Sequence, residues 1–323
     1  MNTATKLSGF ALGLAAVFGA AYGVGHLTGP VAPAAETRHD ATDPAHDPTA
    51  ADHGDGHADP STDHLPGGLL VADRGYTLQP VNAPTGEFAF RITGPDGRPV
   101  TRYDVAHDKR MHLIVARRDL SGFRHVHPEL TGDGTWRVAS PLAGPGVWRA
   151  FADFTPTGGE PLTLGVDVTV PGPLVEHPLP APATSSTVDG YTVTLAGTPQ
   201  PGQAGRLTLT VTRDGRPVTD LQPYLGAYGH LVALRQGDLA YLHVHPEGAP
   251  GDGQTPAGPA VSFTTELPSI GTYRLYLDFR HDDAVHTAEF TVVAGDVPPP
   301  AAPATPTTPT PDAGHGAPGH GHS

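Results

Sequence analysis

The pentapeptide His-Val-His-Pro-Glu occurs twice in the chain, at 125–129 and at 243–247. Residues two apart on an extended strand point to the same face, and imidazole is a ligand for zinc, copper(II) and nickel(II). A third histidine precedes each pair: His112 before His125 and His127, and His230 before His243 and His245. The two sets are related by one shift of 118 residues. In the second set, Gly237-Asp238 lies at the centre of "HLVALRQGDLAYLHVH" and fits a two-residue type II′ hairpin loop. That register puts His230 opposite His245, with cross-strand Cβ atoms about 4.5–5.5 Å apart, and His243 beside them on the same face. The matching centre of the first copy falls between Asp119 and Leu120. His112 then opposes His127, with His125 alongside. The turn is less ideal there, so a longer loop about the same centre is also compatible. Each hairpin is expected to gather three imidazoles at its open end. A fourth ligand could be water, Glu129, Glu247, or one of Asp153 and Asp278, which match between the copies. His107 is an addition in the first copy, and His281 and His286, near Asp282 and Asp283, are additions in the second.

The same strand faces carry Ile114 and Phe123 in one copy and Val232, Leu234 and Tyr241 in the other. The imidazoles could therefore pack near a core and bond backbone carbonyls, with Pro128 and Pro246 merely ending strands. A pH-sensing role is also open, because imidazole titrates near neutrality.

The elements that must position these residues are repeated as well. "YTLQPVNAPTGEFAFRITGPDGRPVT" (76–101) parallels "YTVTLAGTPQPGQAGRLTLTVTRDGRPVT" (191–219), and "GVWRAFADF" (146–154) parallels "GTYRLYLDF" (271–279). Phe88, Phe90 and Ile92 alternate with polar residues, as do Leu207, Leu209 and Val211. Gly, Pro and Asp turns separate these short alternating runs. The expectation is an all-β chain of two tandem immunoglobulin-like β-sandwiches at 67–171 and 188–295, joined by a Pro-rich linker at 172–187.

The flanks differ in composition. Leu7–Gly25 is an uncharged apolar run, read within 1–29 as an N-terminal hydrophobic helix. It is either an uncleaved membrane anchor or a signal peptide cleaved near Ala32-Pro33-Ala34. Both readings place the remainder outside the cytoplasm, membrane-anchored or secreted. Residues 30–66 alternate His with Asp and have almost no large apolar side chain, so they are expected to be disordered and to collect metal weakly. Residues 296–323 form a Pro/Thr/Ala-rich tail, also expected to be disordered, ending in His315, His320 and His322.

Composition narrows the chemistry. The 323-residue chain has no Cys, which excludes disulfides, zinc-thiolate centres, iron–sulfur clusters and blue copper. Two Met make a Met-rich copper(I) site a poor fit. A formal charge of −14 argues against nucleic acid as a partner. No Gly-x-Ser-x-Gly elbow, P-loop, His-Glu-x-x-His or dinucleotide fingerprint is present. The His-x-His pairs lack the cupin spacing to the following Glu. The chain is therefore read as a non-enzyme.

"MHLIVARRDLSGFRHVHPEL" together with "GVWRAFADF" resembles a group of actinobacterial envelope proteins associated with heavy-metal or copper handling. A wider resemblance is to small immunoglobulin-like copper-resistance proteins of the periplasm, whose Met-rich segment this chain lacks. The resemblance implies a β-sandwich and an envelope location. Taken with the triads, the expected function is extracytoplasmic binding of a divalent transition metal, copper(II) or zinc, for buffering, resistance or delivery. The expected partners are the membrane, through the helix if uncleaved, and an envelope metal-transport protein. The alternative is an adhesion or scaffold module with structural histidines.

Overall fold

The computed structural model describes residues 65–296 apart from Ser140 and His245, with the backbone alone at His243. The hydrophobic run at 7–25 and both His-bearing tails lie outside the described residues, except for the first and last residues of the folded segment. Among the described residues there is no helix, and they are all-β, with the strands of each sheet paired antiparallel.

The first copy contributes β1 (Ala72–Asp73), β2 (Tyr76–Val81), β3 (Glu87–Thr93), β4 (His112–Arg117), β5 (Arg124–Val126), β6 (Glu129–Leu130), β7 (Thr135–Ala139), β8 (Gly146–Phe154) and β9 (Leu162–Val170). They form two sheets, ordered β1-β2-β3-β7-β6 and β5-β4-β8-β9. The second copy contributes β10 (Ser185–Val188), β11 (Tyr191–Ala196), β12 (Ala204–Arg213), β13 (Arg216–Pro217), β14 (His230–Arg235), β15 (Tyr241–Val244), β16 (Ala260–Glu266), β17 (Gly271–His281) and β18 (Ala284–Ala294). Its sheets are β10-β11-β12-β13, with β16 also on β12, and β15-β14-β17-β18. Alternation works as expected between the sheets of each copy. Phe88, Phe90 and Ile92 are buried with Trp136, Trp148 and Leu164 in one core, and Leu207, Leu209 and Val211 with Phe263, Tyr273 and Phe290 in the other.

The second strand of each His hairpin sheet breaks the alternation. β4 and β14 are buried at five consecutive positions. Leu113 and Val115 enter the core of the first copy, whereas Ile114 and Ala116 face the second copy. Leu231 and Ala233 likewise point into their own core, and Val232 and Leu234 point out to meet them. A strand covered on both faces reads as a continuous apolar run, which is how "HLIVA" and "HLVAL" are written.

The contact between copies is self-complementary. Phe123 of the first copy stacks on Tyr276 of the second, with ring centroids 4.0 Å apart and planes 8° from parallel. Tyr241, which matches Phe123 in the repeat, stacks on Phe151, which matches Tyr276, at 5.3 Å and 25°. The Tyr276 hydroxyl donates to the Leu120 carbonyl at 2.6 Å, which satisfies its buried polar atom. This is the pattern of a two-fold, isologous interface built within one chain.

The hairpin registers agree with the sequence arithmetic. Val232 pairs with His243 and Leu234 with Tyr241. Leu113 pairs with Val126 and Ile114 with His125. The two-residue loop at Gly237-Asp238 is corrected. Arg235 N–H bonds the Ala240 carbonyl and Leu239 N–H bonds the Arg235 carbonyl, so Gln236 to Leu239 form the loop. The cause is Leu239, fully buried in the contact between copies and held at φ +60°. Leu120 does the same at φ +67°. A left-handed leucine costs about 1–3 kcal/mol, and burying its side chain returns about 1.5–3 kcal/mol. Asp238, ion-paired to Arg235, braces the turn.

Phe123→Ala and Tyr276→Ala are each expected to destabilise the chain by about 3–5 kcal/mol in urea unfolding. The double variant should fall short of additivity by about 0.5–1.5 kcal/mol, the coupling of an aromatic pair. Strict additivity would contradict the stacked contact.

Candidate metal centre

Strand pairing of β4 with β5 puts His112 and His125 on one face, and His127 follows β5 directly. Ring centroids lie 5.3 Å apart for His112–His125, 5.0 Å for His112–His127 and 4.9 Å for His125–His127. One ligand nitrogen from each falls within 4.8 Å of the others. Three imidazoles bound tetrahedrally at about 2.0–2.1 Å from one zinc have ring centroids about 5 Å apart. The triad thus already has the spacing of a three-histidine site. His112 is only 3% exposed.

Hydrogen bonds determine which nitrogens carry lone pairs. His112 Nε2 lies 3.0 Å from the Ala106 carbonyl oxygen, which can only accept, so Nε2 holds the proton and Nδ1 the lone pair. His125 Nδ1 lies 3.0 Å from Asp278 Oδ2 and donates to that carboxylate, so the lone pair of a neutral His125 is on Nε2. His112 Nδ1 and His125 Nε2 are themselves 3.0 Å apart. With both rings neutral, two lone pairs face each other. A cation must stand between them or nearby, either a proton or a metal ion. Two nitrogens on one tetrahedral ion are about 3.3 Å apart, so little movement separates this arrangement from a ligated one.

His127 distinguishes the two cations. Its Nε2 is buried and has no hydrogen-bond partner among the described residues. Burial, and then the neighbouring charges of His125, His112, Lys109 and His230, push its pKa down to about 2. His127 is therefore neutral across the physiological range, the form that binds metal. An unsatisfied buried nitrogen costs about 1–3 kcal/mol.

The second copy supplies part of the same centre. Asp278, directly opposite His230 on β17, crosses to His125 and also accepts from Thr287 at 2.6 Å. A carboxylate on the far nitrogen of a ligand histidine fixes its tautomer and raises its basicity. Asp278, which the sequence reading offered as a possible fourth ligand, bonds the far nitrogen of His125. His230 Nε2 bonds the Tyr224 carbonyl at 2.8 Å, repeating the His112–Ala106 bond of the first copy. Its ring is 6.4 Å from His125 and 5.6 Å from His107. The Tyr224 phenol, raised to about 12 by burial and by Asp278, stays protonated nearby.

His230 also stands near the triad of the first copy. The His243 side chain and His245 lie outside the described residues. Asp153 pairs with His112 on β8 but accepts from Tyr241 at 3.2 Å and Thr163 at 3.2 Å. Glu129 is exposed on β6 and shares a cleft of about 520 Å³ with His127, Glu87 and Arg137, without joining the three-nitrogen cluster. Glu247 is not brought to the centre. It accepts from Thr264 at 2.8 Å and pairs with Arg206 on the opposite sheet, and these bonds hold its pKa below the usual carboxylate range. His281 and His286 join another network, around Tyr191, Asp220 and Asp189. His107, at φ +48°, lines a cleft of about 390 Å³ with Lys109, Arg110, His112 and Asp153.

A family profile described as a domain of unknown function, DUF8832, matches residues 76–172 and again residues 186–296. The chain belongs to the DUF8832 family. Each DUF8832 segment covers most of one two-sheet copy, so the duplication of the histidines is a duplication of the domain. No curated protein matches the chain. Among solved structures, a DUF3823 family protein from Bacteroides uniformis is 15% identical, with a TM-score of 0.19, over 61% of this chain and 94% of its own. Escherichia coli alpha-2-macroglobulin activated by porcine elastase is 14% identical, with a TM-score of 0.21, over 73% of this chain and 22% of its own. Scores this far below 0.5 carry no argument about the site.

Long-range ¹H–¹⁵N correlation should find Nε2-protonated tautomers at His112 and His230 and an Nδ1 proton on His125. Glu247→Gln should leave zinc affinity within about twofold in calorimetry, because its carboxylate serves an ion pair elsewhere.

Proposed function

We propose that this DUF8832 protein binds a divalent transition metal, copper(II) or zinc, through His112, His125 and His127, and that it buffers or delivers the ion without catalysing a reaction. One observation carries this reading: three imidazoles converge at ligand spacing, one of them with a buried and unpartnered nitrogen. Nitrogen-only donors suit zinc and copper(II) over magnesium or calcium, which prefer oxygen. The His-bearing tails would collect ions weakly and raise their local concentration.

The strand orders β2-β3-β7-β6 and β5-β4-β8-β9 match the A-B-E-D and C′-C-F-G arrangement of an immunoglobulin-like sandwich. This order supports the immunoglobulin-like part of the reading. Within that reading the protein works outside the cytoplasm, held by its N-terminal helix or secreted, and passes its ion to an envelope transport partner.

A second reading has its own observation. The 3.0 Å contact of His112 with His125 also fits a shared proton stabilised by Asp278. The histidines would then be structural and the protein an adhesion or scaffold module. That reading leaves the buried His127 nitrogen unexplained.

Titrating zinc and copper(II) into the full chain, with metal content read by mass spectrometry, separates the two. His112→Ala/His125→Ala/His127→Ala should lose one tightly bound equivalent and keep the weak sites of the tails. An unchanged stoichiometry and affinity would favour the scaffold.

A further inference from the structure

We propose that the metal ion is a clasp between the two domain copies, so that its affinity depends on their docking and their docking on the ion. This rests on the metal-binding reading above. The three ligand nitrogens come from β4 and β5 and the residue after β5, all in the first copy. The carboxylate that orients His125 comes from Asp278 on β17 of the second copy. Both partners are sequestered, with His125 and Asp278 side chains 2% and 5% exposed.

The chemistry makes this placement consequential. Three neutral imidazoles leave a dication with its full charge in a buried site. Asp278 puts a negative charge on the far side of one ligand and keeps the lone pair of His125 directed inward. Without it, the His125 ring can rotate or take the other tautomer, and the triad loses a correctly aimed donor. Removing such a carboxylate partner typically lowers metal affinity 10- to 100-fold. Asp278 reaches His125 only while Phe123 lies on Tyr276, each ring two residues before its member of the pair, Phe123 just ahead of β5 and Tyr276 on β17. The stacked rings and the His–Asp bond therefore form one contact. Linkage requires reciprocity: the factor by which docking tightens metal binding is the factor by which metal tightens docking.

The test uses the full chain and zinc sulfate. Asp278→Asn keeps the shape and one acceptor but removes the charge, and zinc affinity should fall 10- to 100-fold. Leu239→Ala, at the far tip of the second hairpin and touching the contact between copies, should also weaken zinc binding although it alters no imidazole. Hydrogen exchange should show zinc slowing amides of β17 as well as those of β4 and β5. If zinc binds but both variants match the parent and protection stays within β4 and β5, the clasp is wrong and the triad reading stands. If the parent protein binds no zinc beyond its tail sites, both fail together. Should Asp278→Asn unfold, Leu239→Ala and the exchange pattern of the parent still decide.

Discussion

The contact between His112 Nδ1 and His125 Nε2 constrains the account more than any other. Each ring has its other nitrogen committed, one to a backbone carbonyl and one to a carboxylate. Two neutral imidazoles so committed repel at 3.0 Å. The fold holds them there because their strands are the centre and edge of one sheet, and because a second domain presses on the face they share. A cation resolves the conflict. The nearby His127 offers a metal ion a third nitrogen at ligand spacing.

That conflict exists only because the two copies dock. Isolated, each hairpin sheet would turn Ile114 or Val232 to water along with its histidines. Docked, the apolar residues form the middle of a pseudo-two-fold contact and the polar ones are gathered at its margin. The symmetry is imperfect in a useful way. Phe123 answers Tyr241 and Phe151 answers Tyr276, so the extra hydroxyls reach different partners, Asp153 in one case and the Leu120 carbonyl in the other. Asp278, freed from such a tyrosine, is available to His125.

Much of this was legible in the sequence. The hairpin register follows from symmetry about the turn, and it held even where the loop proved longer, because moving one more pair of residues into the loop leaves the centre unchanged. Alternation located the facing sheets of each copy. What could not be read was the docking. Phe123, Tyr241 and the apolar neighbours of the histidines were visible, but a single-copy view makes them a reason to bury the imidazoles in their own core. The unbroken runs "HLIVA" and "HLVAL" carried the missing signal, since a strand with one solvated face would alternate. The roles of Ala106 and Tyr224 had no signal at all, because they act through backbone carbonyls. Nor does the sequence reveal that Arg206 and Thr264 hold the Glu247 carboxylate.

The central claim is that three imidazoles of the first copy bind one metal ion. X-ray absorption on the full chain loaded with one equivalent of zinc tests it most directly. The account predicts a first shell at about 2.0 Å with the outer-shell scattering of at least three imidazole rings, and loss of that signature in His112→Ala/His125→Ala/His127→Ala. A shell of oxygen atoms, or the same imidazole signature in that variant, would contradict it.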